Sequence, residues 1–163
     1  GTILKEFVND PELNLAYSVS MTTRKMRPGE VEGVNYNFVD RSAFEQAIRE
    51  GELLEYAEFV GNYYGTPLKN VEKLRAEGKN VLLEIEVQGC QQVMEKCPDA
   101  LTIFIIPPRI RGRGTEPEEI VQQRLSKASR EMELVDQYKF IVCNEDPKLA
   151  ASIISLIIKR HME

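Results

Sequence analysis

VLLEIEVQG, residues 81–89, decides the fold. Its first part is an apolar, partly β-branched run interrupted only by Glu84 and Glu86. A short run of that kind reads as a strand covered on both faces. Gln88–Lys96 after it reads as a helix, though a weaker one. Before it, Pro67 opens a helix with Leu68, Val71 and Leu74 on one side, and Gly78 follows the end. The same alternation repeats along the chain. AYSVS (16–20), LTIFII (101–106) and KFIVC (139–143) read as further strands. Thr2–Val8 is a weak helix. Thr115, Pro117 and Glu118 start another, with Val121, Leu125, Ala128, Met132 and Val135 as its apolar stripe. Asp146-Pro147 opens the last, carrying Leu149, Ile153, Ile154 and Ile157. Strands alternating with helices predict an α/β fold, a parallel sheet core flanked by helices.

Residues 35–66 depart from that rhythm. NYNFV, ELLEYAEFV and NYYG are aromatic-rich strand patterns around one short helix, Ser42–Glu50. Ser42 is expected to cap it, with Glu45 reaching back and Gly51 closing the end. The expectation is a small antiparallel lobe, 35–66, inserted into a core made of 1–34 and 67–163.

Composition narrows the function. A chain of 163 residues with 42% hydrophobic and 29% charged residues suits one globular domain with a small insertion. No run reaches membrane-spanning length and no signal-peptide pattern opens the chain, so a cytoplasmic protein without a membrane partner is expected. The cysteines, Cys90, Cys97 and Cys143, are odd in number and form no CxxC, which predicts reduced thiols and no zinc site. His161 is the only histidine, which argues against a histidine triad or metal cluster. A net charge of -5 gives no general field for nucleic acid. The arginines are nevertheless clustered, at 24 and 27, at 109, 111 and 113, and at 124 and 130. On an acidic protein such clusters suit small phosphorylated ligands, because the guanidinium donates two parallel hydrogen bonds.

In a parallel sheet, ligands gather at the carboxyl ends of the strands. AYSVS runs out into MTTRKMRPGE, VLLEIEV into QGC, LTIFII toward the arginines and KFIVC into Asn144, so these residues are expected on one rim. Arg24 and Arg27 can grip one phosphate, with Tyr36 adding a hydroxyl; an ordinary polar loop is the alternative. Glu55 can accept from a ring N–H and an exocyclic amine, while Tyr63, Tyr64 and Thr66 add aromatic faces and hydroxyls; here an edge strand packed on its neighbours is the plainer alternative. Glu84 and Glu86, two apart on an expected strand, would share a face, serving a metal–water shell, a ligand amine or a buried ion pair. Arg109, Arg111 and Arg113 precede a helix N-terminus, an anion-attracting edge that Arg124 can join.

Together these motifs resemble the guanylate kinase family. SxTTRxxRxGExxGxxY spans Ser20–Tyr36 and ExxxxxGxxYGT spans Glu55–Thr66. LLEIEVQG, the double proline, RGRGTE at Arg111–Glu116 and VCNED around Asn144 follow in the family's order. The resemblance covers essentially the whole chain and is nearest the stand-alone bacterial enzymes. It implies a P-loop-type core, a GMP-binding lobe and a lid near 108–113, and transfer of the γ-phosphoryl group of ATP to GMP. Position by position, Arg24, Arg27, Tyr36 and Tyr64 would bind the GMP phosphate. Ser20, Glu55 and Thr66 would read guanine, with Glu86 on its amine side. Arg24, Arg109, Arg113 and Arg124 would act on the transferring group. Gly1, Thr2, Arg109, Arg113 and Asn144 would meet ATP. Mg²⁺ is expected through the phosphates, with Thr2 or Glu84 as the nearest protein group.

Two departures from the family pattern carry expectations of their own. The G-x-x-x-x-G-K-[ST] loop does not occur, and Gly1-Thr2-Ile3-Leu4 reads as the stretch just after its lysine. Pro108 abuts Arg109 where the family places a helical lid segment. The expectation is a protein longer than these 163 residues, with an intact mass above 18.6 kDa. If the loop were truly missing, the competing function would be a catalytically inactive module binding phosphopeptides at the GMP site. The retained RGRGTE, Arg124 and Asn144 favour the enzyme, since such a module has no use for ATP-side residues. The sequence does not fix the oligomeric state.

Overall fold

The structure, a computed structural model, describes residues 2–106 and 134–163, with Thr2 described in its backbone alone. It comprises two compact units, residues 14–100 and residues 1–13 with 101–163.

The first unit holds β1 (Leu15–Tyr17), β2 (Met21–Thr22), β3 (Asn37–Phe38), α2 (Arg41–Arg49), β4 (Leu53–Phe59), β5 (Asn62–Pro67), α3 (Leu68–Ala76), β6 (Asn80–Leu82) and α4 (Val87–Lys96). The second holds α1 (Thr2–Phe7), β7 (Ile103–Ile106), a 3-10 turn (Val135–Gln137), β8 (Phe140–Cys143) and α5 (Pro147–Met162). The expected α/β character is present. β1 pairs with β6 and β7 with β8, both in parallel. The lobe is a four-stranded sheet in the order β3-β2-β5-β4. β5 runs antiparallel to both β2 and β4, while β2 and β3 are parallel.

Local chemistry explains most element ends. Pro67 stands at the N-cap of α3, and Gly78, with φ 79°, takes the left-handed conformation that ends it. Asp146 caps α5 by accepting from Lys148 N and Leu149 N, and Pro147 fills the first helical position. The expected cap of α2 is two residues off. Asp40 is the N-cap, accepting from Ala43 N at 2.8 Å, and Ser42 instead donates to Asp40 at 3.0 Å. A carboxylate is the stronger acceptor for a helix N-terminus, and this leaves Glu45 to pair with Arg41 at 3.2 Å.

Three strand and helix expectations are corrected. AYSVS is not one strand: β1 ends at Tyr17, and β2 starts at Met21 in the lobe sheet. VLLEIEV contributes only its first two residues to β6; Leu83–Glu86 leave the ladder and Glu86 becomes the N-cap of α4. Two carboxylates inside a covered strand would lose hydration without partners, and leaving the ladder lets Glu84 reach solvent. On α5 the buried residues are Ala150, Ala151, Ile154 and Ile158, while Leu149 and Ile153 are exposed. The small alanines permit close packing, which an apolar stripe drawn through the large residues misses. The helix expected from Thr115 lies outside the described residues except for Val135, which is buried in the 3-10 turn.

The core of the lobe forms around Phe44, which is fully buried with Ala47 and Leu53. Its ring stacks on Tyr63 at 4.9 Å, and Arg41 lies over Tyr63's ring at 4.6 Å. Gly65 makes this possible: a Cβ there would stand 2.9 Å from Phe44 Cζ. Phe44→Ala is therefore expected to destabilise the protein by about 3–5 kcal/mol, read from urea unfolding curves. A loss near zero would mean that the lobe collapses around the missing ring.

Candidate active site

Strand register brings together residues that are far apart in sequence. Met21 pairs with Gly65 and Thr22 with Tyr64 across β2 and β5, and Glu55 pairs with Thr66 across β4 and β5. Continuing the first register by one residue sets Ser20 opposite Thr66. Ser20, Thr66 and Glu55 thus form one row across three chain segments, and all are buried. Thr66 Oγ1 donates to Glu55 Oε1 at 2.7 Å. Burial raises the Glu55 pKa above the usual carboxylate range; the Thr66 hydrogen bond opposes this, and the charge of Glu86 adds to it.

A β-bulge aims Glu55. The register between β4 and β5 shifts between Leu53 and Glu55, leaving Leu54 as the extra residue. In a regular strand Leu53 and Glu55 would share a face. The bulge instead leaves Leu53 in the Phe44 cluster and turns Glu55 to the opposite face, with Thr66. Leu54 joins a separate cluster with Val71 and Val93.

Thr22 and Tyr64 stand two residues along β2 and β5 from that row, about 6.6 Å away, and on that side lies the cationic end. Arg24 forms a bidentate pair with Glu30, Nη1 to Oε1 at 2.9 Å and Nη2 to Oε2 at 2.8 Å. Arg24 also lies over the rings of Tyr36 at 5.3 Å and Phe38 at 5.9 Å. The rings of Tyr36 and Tyr64 meet edge-on at 6.0 Å. Glu30 also accepts from Arg27 N at 2.7 Å, and the two donors, Arg24 first, hold its carboxyl down at about 2. The Arg27 side chain is exposed at the mouth of this group.

Glu30 is a residue that the reading of single side chains passed over, although it stands within the RxGE part of the motif quoted for the resemblance. Thr22 and Thr23 are others. Thr22, fully buried, donates through Oγ1 to Tyr63 O at 2.8 Å and accepts from Arg24 N at 3.1 Å. Thr23 Oγ1 accepts from Tyr63 N at 2.9 Å. The hydroxyls of TTR thus bind strand to strand and set the height of Arg24.

The remaining expected residues divide. Glu86, partly buried, stands at the N-cap position of α4 without a side-chain capping hydrogen bond, and its charge acts on Glu55. Glu84 does not share a strand face with it; it is exposed, its Oε2 3.5 Å from Tyr17 Oη, and burial together with Glu84 pushes Tyr17 up to about 12. In the other unit, Asn144 follows β8 and donates its backbone N–H to Ile106 O at 2.9 Å. Its buried Oδ1 has no hydrogen-bond partner among the described residues. Gly1, Arg109, Arg113 and Arg124, and the Thr2 side chain, lie outside the described residues. Among the described residues no three His, Cys, Asp or Glu side chains are grouped to hold a metal ion, and no helix is long and apolar enough to cross a membrane. The three cysteines are free thiols.

Comparison with known proteins gives the family. The family model for guanylate kinase matches residues 2–161. The guanylate kinase of Lactococcus lactis is 51% identical over 166 residues, covering 98% of this chain and 80% of that protein. That of Bacillus cereus is 48% identical over 165 residues, covering 97% and 80%. The crystal structure of guanylate kinase from Anaplasma phagocytophilum superposes with a TM-score of 0.83 at 36% identity, over 99% of this chain and 82% of that one. With near-complete coverage, about half of all positions identical and the same fold, this chain belongs to the guanylate kinase family.

Proposed function

We infer that this protein is a guanylate kinase, transferring the γ-phosphoryl group of ATP to GMP. The observation that carries the substrate assignment is the presence of the Ser20–Thr66–Glu55 row and the Arg24–Tyr36–Tyr64 group on one sheet, with Tyr64 two residues along β5 from Thr66. A purine nucleotide laid along those strands meets a carboxylate at its base and a guanidinium at its phosphate. Glu55 accepts from the ring N–H and the exocyclic amine of guanine, with Glu86 on the amine side and Ser20 and Thr66 supplying hydroxyls. Arg24, Arg27, Tyr36 and Tyr64 hold the phosphate. Arg24 is oriented beforehand by Glu30, so little side-chain entropy is lost when GMP arrives. In this reading the lobe 35–66 takes GMP, using β2 as one of its strands, and the core 1–34 and 67–163 takes ATP.

On the ATP side, Asn144 Oδ1, buried with no hydrogen-bond partner among the described residues, can accept from the adenine amine. Gly1, Thr2, Arg109 and Arg113 are assigned to the ATP phosphates from the motif. Arg24, Arg109, Arg113 and Arg124 neutralise the charge that donor and acceptor phosphates bring together. The acceptor is already an ionised phosphate, so no protein nucleophile or base is required. Mg²⁺, when bound, supplies further neutralisation across the phosphates. The exposed Glu84 carboxylate is a hard oxygen donor of the right chemistry to meet its water shell, as the Thr2 hydroxyl would be. A cytoplasmic location suits this substrate pair.

The test is a coupled assay of the full-length protein with ATP and GMP, with AMP and UMP as controls. GDP and ADP should form together, with Mg²⁺ required and GMP strongly preferred. GMP binding without turnover would overturn the enzymatic reading and leave a binding module.

A further inference from the structure

Helix α4 holds the strand that carries Glu55. Among the described strands β4 stands at the edge of its sheet, so its outer backbone groups have no neighbouring strand. Three residues of α4, spaced so that they share one face, meet β4 instead. Lys96 Nζ donates to the carbonyl of Leu54, the bulge residue. Gln92 Oε1 accepts from Tyr56 N at 3.1 Å, and Gln92 Nε2 donates to Tyr56 O at 2.7 Å. One primary amide thus replaces both hydrogen bonds of an absent strand. Between these contacts Glu55 packs on Gly89: a Cβ built there would lie 2.1 Å from Glu55 Oε2 and 2.8 Å from its Cδ. Gly89 is helical with an ordinary φ, so the glycine is explained by the space the carboxylate takes. Leu54, Glu55 and Tyr56 are therefore each fixed by α4, at the bulge where the β4–β5 ladder holds them least.

We propose that the Gly89–Gln92–Lys96 face of α4 is a positioning device that sets the depth and orientation of the Glu55 carboxylate, and through it the selectivity for guanine. This rests on Glu55 as the reader of guanine. Two parallel hydrogen bonds to a planar base tolerate little displacement, and a misplacement of about 1 Å costs up to about a hundredfold. Filling the Gly89 space pushes the carboxylate toward the base. Removing the Gln92 amide frees the strand edge to shift. None of the three positioning residues needs to touch the nucleotide.

The experiment uses the full-length protein with Gly89→Ala, Gln92→Ala, Glu55→Gln, Glu55→Asp and the double variant Gly89→Ala/Glu55→Asp. It measures KM for GMP and for ATP, the GMP-over-AMP ratio of kcat/KM, and the unfolding midpoint. Gly89→Ala should raise the KM for GMP by about 10- to 100-fold and lower the GMP-over-AMP ratio. Gln92→Ala should do the same by about 3- to 10-fold. Both should leave the KM for ATP at the parent value. Because aspartate retreats from the position a Cβ at 89 would occupy, the double variant should lose less than the product of its single losses. A parent-like KM for GMP in Gly89→Ala, with Glu55→Gln having lost its preference, overturns the positioning role and leaves guanine reading intact. A parent-like preference in Glu55→Gln overturns the reading beneath it. If Gly89→Ala does not fold, Gln92→Ala decides, since it inserts no atoms; an unchanged KM for GMP there overturns the proposal.

Discussion

Glu55→Gln should lower kcat/KM for GMP about a thousandfold while leaving that for AMP unchanged or higher. The carboxylate presents two acceptors to the two donors of guanine, and charge-assisted hydrogen bonds are worth about 1.5–3 kcal/mol each. Glutamine is the same size but offers one acceptor and one donor, the pattern that suits adenine. A site built on hydrogen bonds discriminates by leaving the wrong partner unpaired, which is why the effect is large. Two further readouts separate this from damage to the fold. Burial holds the Glu55 pKa above the usual carboxylate range, so the folded chain binds the proton more tightly than the unfolded one. Stability contributed by that proton is lost as pH rises through the raised pKa. Glu55→Gln has no proton to lose there, so the fall in its unfolding midpoint with rising pH, measured without GMP, should be smaller than the parent's. The rise in KM for GMP on acidification, which reflects protonation of Glu55, should begin above the ordinary carboxylate range in the parent and be missing from the variant. Retained GMP selectivity in Glu55→Gln would refute the assignment.

Arg24→Ala should cost about a thousandfold in kcat/KM for GMP at saturating ATP, with the KM for ATP little changed. Truncating one partner of a shielded charge pair costs about 2–5 kcal/mol, much of it from the charge left behind. Here the remaining charge is Glu30, which accepts both Arg24 nitrogens and Arg27 N. Without Arg24 it still accepts from Arg27 N, and an ordinary carboxylate is ionised at neutral pH, so Glu30 stays charged and repels the incoming phosphate. Arg24→Ala/Glu30→Ala should therefore recover part of the loss. A single variant within a few-fold of the parent would show that the phosphate is held elsewhere.

Much of this was legible because it is local. Pro67 and Gly78 bracket α3, Asp146-Pro147 starts α5, and Gly51, with φ 67°, ends α2, each through the chemistry of one or two residues. The lobe was visible as a change from helical spacing to aromatic-rich strands. Arg24, Tyr36, Tyr64, Glu55 and Thr66 were picked out by type and motif, and they do converge in one unit. Where the reading slipped, a tertiary demand outweighed the local pattern. VLLEIEV has the composition of a longer strand, yet the chain leaves β6 after Leu82 so that Glu86 can begin α4. On α5, burial chose the alanines over Leu149 and Ile153 because close packing favours small residues.

The sequence by itself determined the alternation of strands and helices, most helix ends, the residue types of a phosphate-and-guanine site and the family they resemble. These are properties of neighbouring residues and of spacing along the chain. The tertiary structure alone decided that Ser20, Thr66 and Glu55 share one row, that Thr22 and Thr23 pin β2 to Tyr63, and that a bulge at Leu54 turns Glu55 away from Phe44 and onto Gly89. A one-residue change in register moves a side chain to the other face of a sheet. That register is set by partners 11 to 41 residues away, so no local pattern in ELLEYAEF could have shown which way Glu55 points.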